Sequence, residues 1–263
     1  MSLVRLARPE DHAEVAALFL ELATDEPGPT ETRFVAEMQK TTYIVEREGR
    51  VAGYLFAQFL RSTAYIRHVA IAPNARRSGV GSALFARARA EATARGCAVL
   101  CLNVKPENVP AIRLYEREGL AFKYASAAHR FTFSALPGHP VEGVRARVLT
   151  ANRDAEAESL FGLPDGQLAM ARALPGRVVL GLFRGTGEPE IAGLASFDPG
   201  FPGSFPFRVT SPDLVPALLD GCRAHARKDT MNVIVEDAPE VSAWFARQGA
   251  PARMEFSHYA GAL

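Results

Sequence analysis

The hydrophobic and polar positions along the chain change period often enough to be read as a run of short strands and helices. "LVRLA" (Leu3–Ala7) alternates, as a half-buried strand does. "RPEDHAEVAALFLELA" repeats at the helical period: Pro9 opens it, acids fill its first turn, and Val15, Leu18, Phe19 and Leu22 share one face. "DEPGPT" (25–30) breaks the pattern with Pro and Gly and reads as a loop, and a short second helix fits Glu31–Lys40. "TYIVE" and "VAGYLFAQFL" flank the turn "REGR" as an antiparallel hairpin, and "AYIRHVAIAP" is the next strand. A helix follows from about Gly79 to Arg95, with Val80, Leu84 and Ala88 spaced by four. Then come the strand "CAVLCLNV", a helix from Asn108 to Glu118 stopped by Gly119, and the strand "AFKYASAAHRFTFS". The predicted order is β-α-α-β-β-β-α-β-α-β.

"PGHPVEG" (137–143) then reads as a linker. Beyond it the pattern repeats more weakly. "VRARVLT" is a strand, "RDAEAESLFG" a helix, and "RVVLGLF", "EIAGLASF" and "FPFRVT" are strands. A helix over Ser211–Lys228 is expected, capped by Ser211 with Pro212 at its first position. "MNVIVED", "APEVSAWFARQGA" and "RMEFSHYA" complete the set as strand, helix and strand. "YEREG" (Tyr115–Gly119) lines up with "FARQG" (Phe245–Gly249). The chain therefore reads as α/β, with two similar units in tandem: 1–136 and 143–263, joined by 137–142.

Composition narrows the partners. The 263 residues are 48% hydrophobic and 22% charged, an ordinary globular balance. The formal net charge of +1 gives no global field toward nucleic acid or an anionic membrane, so neither is expected as a partner. Cys97, Cys101 and Cys222 form no CxxC pair and stand near no histidine pattern. Neither a metal site nor a disulfide framework is expected, which suits a reducing cytoplasmic location. The N-terminal stretch "MSLVRLARPEDHAEV" has no apolar leader-like core, and no apolar run approaches the roughly 18 residues of a membrane span.

The chemistry gathers in "HVAIAPNARRSGVGSALFARARAEA" (His68–Ala92), where arginines and glycines fill the corner between a strand and a helix. Main-chain N–H groups at a helix N-terminus lack intrahelical partners and sit at the positive end of the dipole, so an anion fits there. Glycine lets that anion approach the backbone, and arginine adds charge-assisted hydrogen bonds. Arg76, Arg77, Ser78, Gly79, Val80, Gly81 and Ser82 therefore read as a phosphate cradle. The P-loop string GxxxxGK[ST] is absent. Gly79-Val80-Gly81-Ser82-Ala83-Leu84 lacks the third glycine of a dinucleotide fingerprint.

"VAIAPNARRSGVG", a strand followed by R-x-x-G-x-G, resembles the pyrophosphate-binding motif of the GNAT superfamily of acyl-CoA N-acyltransferases. "LCLNVKPENVPAIRLYEREGLAF", with Asn108, Ala111, Leu114, Tyr115 and Gly119, is similar to the family's next strand and helix. The resemblance covers roughly residues 1–135. It implies two GNAT-like units, each a mixed, mostly antiparallel twisted sheet flanked by helices, the first catalytic and the second degenerate. It implies that two central strands splay apart and that acetyl-CoA, as co-substrate, lies in the gap. The backbone of Val69, Ala70 and Ile71 would pair with pantetheine, and the amides from about Arg77 to Ser82 would hold the pyrophosphate. The amide of Val69 or Ala70 would stabilise the oxyanion. Tyr115 would be the general acid, with a packed core tyrosine as the alternative. Asn108 would bond to pantetheine or nearby backbone, or serve as a plain helix N-cap.

The implied activity is acetyl transfer from acetyl-CoA to a primary amine, small molecule or peptide, directly in a ternary complex, by a monomer or homodimer. The alternatives are a non-catalytic acetyl-CoA sensor and a tandem scaffold with a protein ligand. A lysine-type amine is neutral only about one part in several thousand at pH 7, so a base helps. No base stands out. Strand alternation puts Tyr65 and Arg67 on one face and His68 on the other. His68 is a candidate, with a structural histidine as the rival reading. Cys97, Cys101 and Asn103 offer no obvious base, and Cys101 is either an acyl-accepting nucleophile or small buried core. Ordered water could also carry the proton. Asp25 and Glu26 either attract a cationic amine or form a solvated loop. The second half has no R-x-x-G-x-G, and Asp213 stands where positive potential is needed. Phe245 stands in the place of Tyr115 and Ala238 in that of Asn108. It is expected to keep the fold without the reaction, covering a sheet edge or shaping the acceptor pocket.

Overall fold

The computed structural model describes residues 4–23, 27–136, 141–185, 189–200 and 203–263. Asp25, Glu26 and linker residues 137–140 lie outside the described residues. The chain forms two units, Met1–Lys123 with His258–Leu263, and Tyr124–Ser257.

In the first unit the predicted order holds as far as its last helix: β1 (Val4–Leu6), α1 (His12–Phe19), α2 (Glu31–Arg33), β2 (Thr42–Arg47), β3 (Arg50–Phe59), β4 (Thr63–Ile71), α3 (Val80–Ala94), β5 (Val99–Val104) and α4 (Val109–Arg117). A 3-10 turn at Pro9–Asp11 leads into α1, and α2 runs on as a π turn over Phe34–Met38. β1 to β4 pair antiparallel in sequence order, while β4 and β5 pair parallel. Val80, Leu84, Ala88 and Ala92 form a buried stripe along α3, packed with Leu55, Ile66 and Leu102 on one face of the sheet. Val15, Phe34, Tyr54, Phe56 and Ala70 form the core of the other face.

β4 departs from simple alternation. Its register with β3 jumps between His68↔Phe56 and Ile66↔Ala57, leaving Arg67 as the extra residue of a β-bulge. Ala64 and Ile66 point into the α3 side, and beyond the bulge Val69 and Ile71 do so. Tyr65, His68 and Ala70 therefore share the opposite face. The expected separation of Tyr65 from His68 is corrected by that one inserted residue.

The second unit contains most of β6 (Ala121–Thr132), then β7 (Val144–Val148), α5 (Asp154–Leu160), α6 (Gln167–Ala173), β8 (Val178–Arg184), β9 (Glu190–Asp198), β10 (Gly203–Val209), α7 (Val215–Arg223), β11 (Thr230–Glu236), α8 (Pro239–Arg247) and the first part of β12 (Ala252–Ala262). Its strands run β6-β11-β10-β9-β8-β7; among the described residues β10 and β11 pair parallel and the other neighbours antiparallel. The sequence pattern did not predict α6. It is held by the buried Glu158, whose carboxylate accepts from the Gly166 N–H (2.9 Å) and the Leu168 N–H (2.8 Å) at the helix start. The helix expected over Ser211–Lys228 is shorter: a 3-10 turn at Pro212–Leu214, then α7. Ser211 does not cap it, because its hydroxyl donates to the Asp213 carboxylate instead.

The unit boundary differs from the sequence expectation. β6 follows α4, yet it pairs antiparallel with β11 from Thr132↔Thr230 to Ser126↔Glu236. The place beside β5 is taken by the last strand, β12. Residues 124–136 thus belong to the second unit, and 258–263 to the first. Both strands have similar patterns and close similar motifs, so hydrophobic period alone cannot say which sheet each joins.

Candidate functional site

The parallel ladder between β4 and β5 ends at Ile66↔Leu102. Beyond it the strands part, and among the described residues the ladder does not extend along His68–Ile71. Main-chain direction in this stretch follows from one bond: the Ala72 N–H donates to the Ala52 carbonyl (3.0 Å). In an antiparallel pair such residues alternate, so Ala70 also spends its N–H and C=O on β3. The groups of Val69 and Ile71 face the gap, and the Ile71 carbonyl accepts from Arg76 Nε there (3.3 Å). Of the three residues expected along pantetheine, Val69 and Ile71 offer main-chain groups and Ala70 does not.

At the end of β4 the chain turns through Pro73–Ala75, and Arg77 (φ +59°) and Gly79 (φ +84°) adopt left-handed backbone. Gly79 is the N-cap of α3. The amides from Arg77 to Ser82 donate to no main-chain carbonyl among the described residues. They form a short arc of unsatisfied donors at a helix mouth, which is an anion site by its chemistry. Ser78 is tied back, its hydroxyl donating to the Ala75 carbonyl (2.5 Å) and its carbonyl accepting from Arg47 (2.9 Å). Arg76 pairs with Glu21 at 2.6 Å. Both side chains are substantially exposed, and such pairs are worth about 0–1 kcal/mol, so the guanidinium can be exchanged to another anion at little cost.

The two glycines differ in purpose. A Cβ on Gly79 would meet nothing within 4 Å, so its positive φ is what calls for glycine. A Cβ on buried Gly81 would sit 2.8 Å from Leu114 Cδ2 and 3.2 Å from Ile71 Cδ1. Gly81 therefore lets α3 pack against α4 and β4, a reason beyond the expected room for phosphate. Gly81→Arg is expected to cost about 1–3 kcal/mol or more by overpacking. Urea unfolding checks this, and an unchanged midpoint would show that Leu114 simply swings aside.

Asn108 is the exposed N-cap of α4, its side-chain oxygen accepting from the Ala111 N–H (3.3 Å). Tyr115 lies in the core beside Phe85 (ring centroids 5.4 Å apart), 6% exposed. Burial pushes its phenol pKa well above the ordinary value, so the proton stays on oxygen at any neutral pH. Gly119 (φ +80°) ends α4 with N–H bonds from Gly119 to Glu116 and from Leu120 to Tyr115, as expected of a C-cap. Gly249 ends α8 in the same way.

His68 packs among Phe19, Tyr54 and Phe56, with centroids 5.1, 6.2 and 5.3 Å away. Its Nδ1 is buried without a hydrogen-bond partner. Desolvation, aided by the charges of Arg67 and Arg33, pulls its pKa down to about 3. A ring that resists protonation this strongly is a poor proton acceptor. Cys101 is buried with Tyr65 and Ala260. Sequence reasoning missed another arrangement on this face: His258, on β12, donates from Nδ1 to Asn103 Oδ1 at 2.8 Å. No local signal marks His258, since only the strand exchange brings it to β5.

The second unit repeats the strand divergence. Among the described residues the β10–β11 ladder holds Gly203↔Asn232 and Ser204↔Val233. Beyond it, Arg208 spans the two strands, donating to the Glu236 carboxylate (2.7 Å) and to the Glu236 carbonyl (2.9 Å). Phe245 is fully buried, stacked on His129 and Phe131. Ala238 stands at the N-cap of α8 without a side-chain hydrogen bond. Among the described residues no helix is long and apolar enough to cross a membrane, and no cluster of His, Cys, Asp and Glu is grouped to hold a metal ion.

Comparison with known proteins bears on this geometry. Residues 10–120 match the Acetyltransferase (GNAT) family. Over 73 residues the chain is 34% identical to the [ribosomal protein bS18]-alanine N-acetyltransferase of Escherichia coli (strain K12), covering 28% of this chain and 49% of that protein. The chain thus spans about half the length of the curated relatives it matches. Among solved structures, the GCN5-related N-acetyltransferase from Sphaerobacter thermophilus has a TM-score of 0.71 at 16% identity, over 99% of this chain and 95% of that one. A tandem GNAT protein from the clavulanic acid biosynthesis pathway has a TM-score of 0.61 at 17% identity, over 100% and 98%. At such identities the likeness is one of fold, and it runs the length of both units. The family match thus lies within the first unit, over residues 10–120, and the chain as a whole shares its fold with a tandem GNAT protein.

Proposed function

We propose that the first unit is an acetyl-CoA-dependent N-acetyltransferase acting on a primary amine by direct transfer in a ternary complex. The observation that carries the reading is the gap beyond Ile66↔Leu102, which opens beside the unsatisfied amides of Arg77–Ser82. The residues fit the carrier. The amides at the mouth of α3, with Arg76 or Arg77, would hold its diphosphate. Val69 and Ile71 would pair with its amide-bearing arm, and the Val69 N–H would stabilise the oxyanion. Tyr115, held protonated by burial, would supply a proton to the departing sulfur. A relative that is a [ribosomal protein bS18]-alanine N-acetyltransferase makes an alanine-led peptide the first acceptor to try.

The test is steady-state release of coenzyme A thiol from acetyl-CoA with a panel of primary amines that includes such a peptide. Acceptor-dependent release supports the reading. Tight acetyl-CoA binding without release with any amine would make the unit a sensor instead. Tyr115→Phe is expected to lower kcat by about 10²–10⁴-fold while acetyl-CoA affinity stays near that of the parent chain. Equal kcat removes the acid role and leaves Tyr115 as packing.

A further inference from the structure

We infer that His258 is the proton acceptor for the incoming amine and that Asn103 is its positioning residue. The inference rests on the transferase reading of the first unit. Along β12, Tyr259 packs into the core on the α3 side, and Ala260 packs with Tyr65 and Cys101 on the other face. Alternation puts His258 on that second face, where it is 7% exposed. Its ring lies 6.0 Å from that of Tyr65, over which Arg67 sits at 4.8 Å. Asn103 is the first residue of β5 past the last ladder pair, Ile66↔Leu102, so it stands where the gap begins. His258 is hydrogen-bonded to that residue.

The hydrogen bond has a chemical consequence. An amide oxygen only accepts, so the Asn103 Oδ1 contact fixes the ring hydrogen on Nδ1 and the lone pair of the neutral ring on Nε2. That is the tautomer a base needs, held in one orientation. His68 cannot take the role, being wedged among Phe19, Tyr54 and Phe56. In the step itself, an ammonium proton passes to Nε2 and the nitrogen lone pair forms the bond to the thioester carbon. The C–S bond then breaks, with its electron pair leaving on sulfur. Of the two protons the nitrogen sheds, one leaves through the imidazolium to solvent and the other ends on sulfur.

The experiment uses the full chain, acetyl-CoA and the primary-amine panel with its alanine-led peptide, reading thiol release and, separately, acetyl-CoA binding by calorimetry. His258→Gln keeps a hydrogen-bonding side chain of similar size. It is expected to lower kcat about 10²-fold or more with acetyl-CoA affinity unchanged. Added imidazole should restore part of the activity of His258→Ala. Asn103→Leu should lower kcat with affinity retained, and Asn103→Asp, which still accepts from Nδ1, should recover it. Turnover of His258→Gln within two-fold of the parent, or equal losses in Asn103→Leu and Asn103→Asp, overturns the assignment while leaving the transferase intact. A parent chain that binds acetyl-CoA but acetylates no amine overturns the transferase reading, and this inference with it.

Discussion

Deleting residues 258–263 is expected to unfold or severely loosen the first unit and to abolish the acetyl-CoA binding proposed for it. The segment is short, but its contacts are central. Tyr259 is 7% exposed within the core under α3 and α4. Burying one such ring is worth about 1.5–3 kcal/mol. The Leu263 N–H donates to the Ala98 carbonyl (3.0 Å), and the Ala262 carbonyl accepts from Arg89 (3.3 Å). Gly261 lies so close to Gly119 that an added Cβ would meet the Gly119 carbonyl, which locks the end of α4. Without the segment, β5 also becomes a bare edge beside the gap. A loss of about 3 kcal/mol should lower the melting transition of this unit by roughly 6–12 °C in scanning calorimetry. A transition at the parent temperature would show that the tail is peripheral. By the same argument, a fragment ending at residue 136 should not fold as an independent acetyl-CoA binder, although the sequence pattern draws a boundary there.

Arg208→Ala is expected to destabilise the second unit by about 3–5 kcal/mol, because it strands a buried carboxylate. Glu236 is 5% exposed, and its Oε1 already lacks a hydrogen-bond partner. Its carboxylate accepts from the Arg208 guanidinium at 2.7 Å, and the same guanidinium donates to the Glu236 main-chain carbonyl at 2.9 Å. Taking both partners away together should do far less harm: Arg208→Met with Glu236→Leu should be near neutral or stabilising by about 1–4 kcal/mol. Urea unfolding of the single and paired variants measures both figures. A single variant within about 0.5 kcal/mol of the parent would mean that water reaches Glu236 and meets its charge. The pair spans the strand divergence that in the first unit is left open, which gives the second unit's expected lack of reaction a steric and electrostatic cause besides its missing glycine corner.

Local signals were legible. The stripe of α3, the glycine stops at Gly119 and Gly249, and the run into Gly79 each depend on residues within a few positions of one another. Their physics is that of one helix or one turn. The candidate carrier site was readable for the same reason, since strand, turn and helix mouth are contiguous. What escaped was set by long-range pairing or by a single inserted residue. The Arg67 bulge reverses the facing of everything after it, yet leaves the apolar pattern looking regular. α6 is short, follows Pro164, Asp165 and Gly166, and owes its start to Glu158 in the preceding helix. The exchange of β6 and β12 joins strands with near-equivalent patterns to opposite sheets. Asn103 and His258 stand 155 positions apart, so no window of sequence contains both. Gly81 was legible as a needed glycine, but its neighbours Leu114 and Ile71 were not.

The placement of residues 258–263 in the first unit also sets an order in time. On the ribosome, residues 4–123 emerge well before the strand that closes their sheet, and the whole of 124–257 is made in between. At roughly 5–20 residues per second, that interval is on the order of ten seconds. During it the nascent first unit carries an unclosed β5, and its candidate base has not yet been synthesised. The proposed acetyl-CoA site is therefore complete only once residues 258–263 have been translated, and a product terminated before them is expected to lack acetyl-transfer activity.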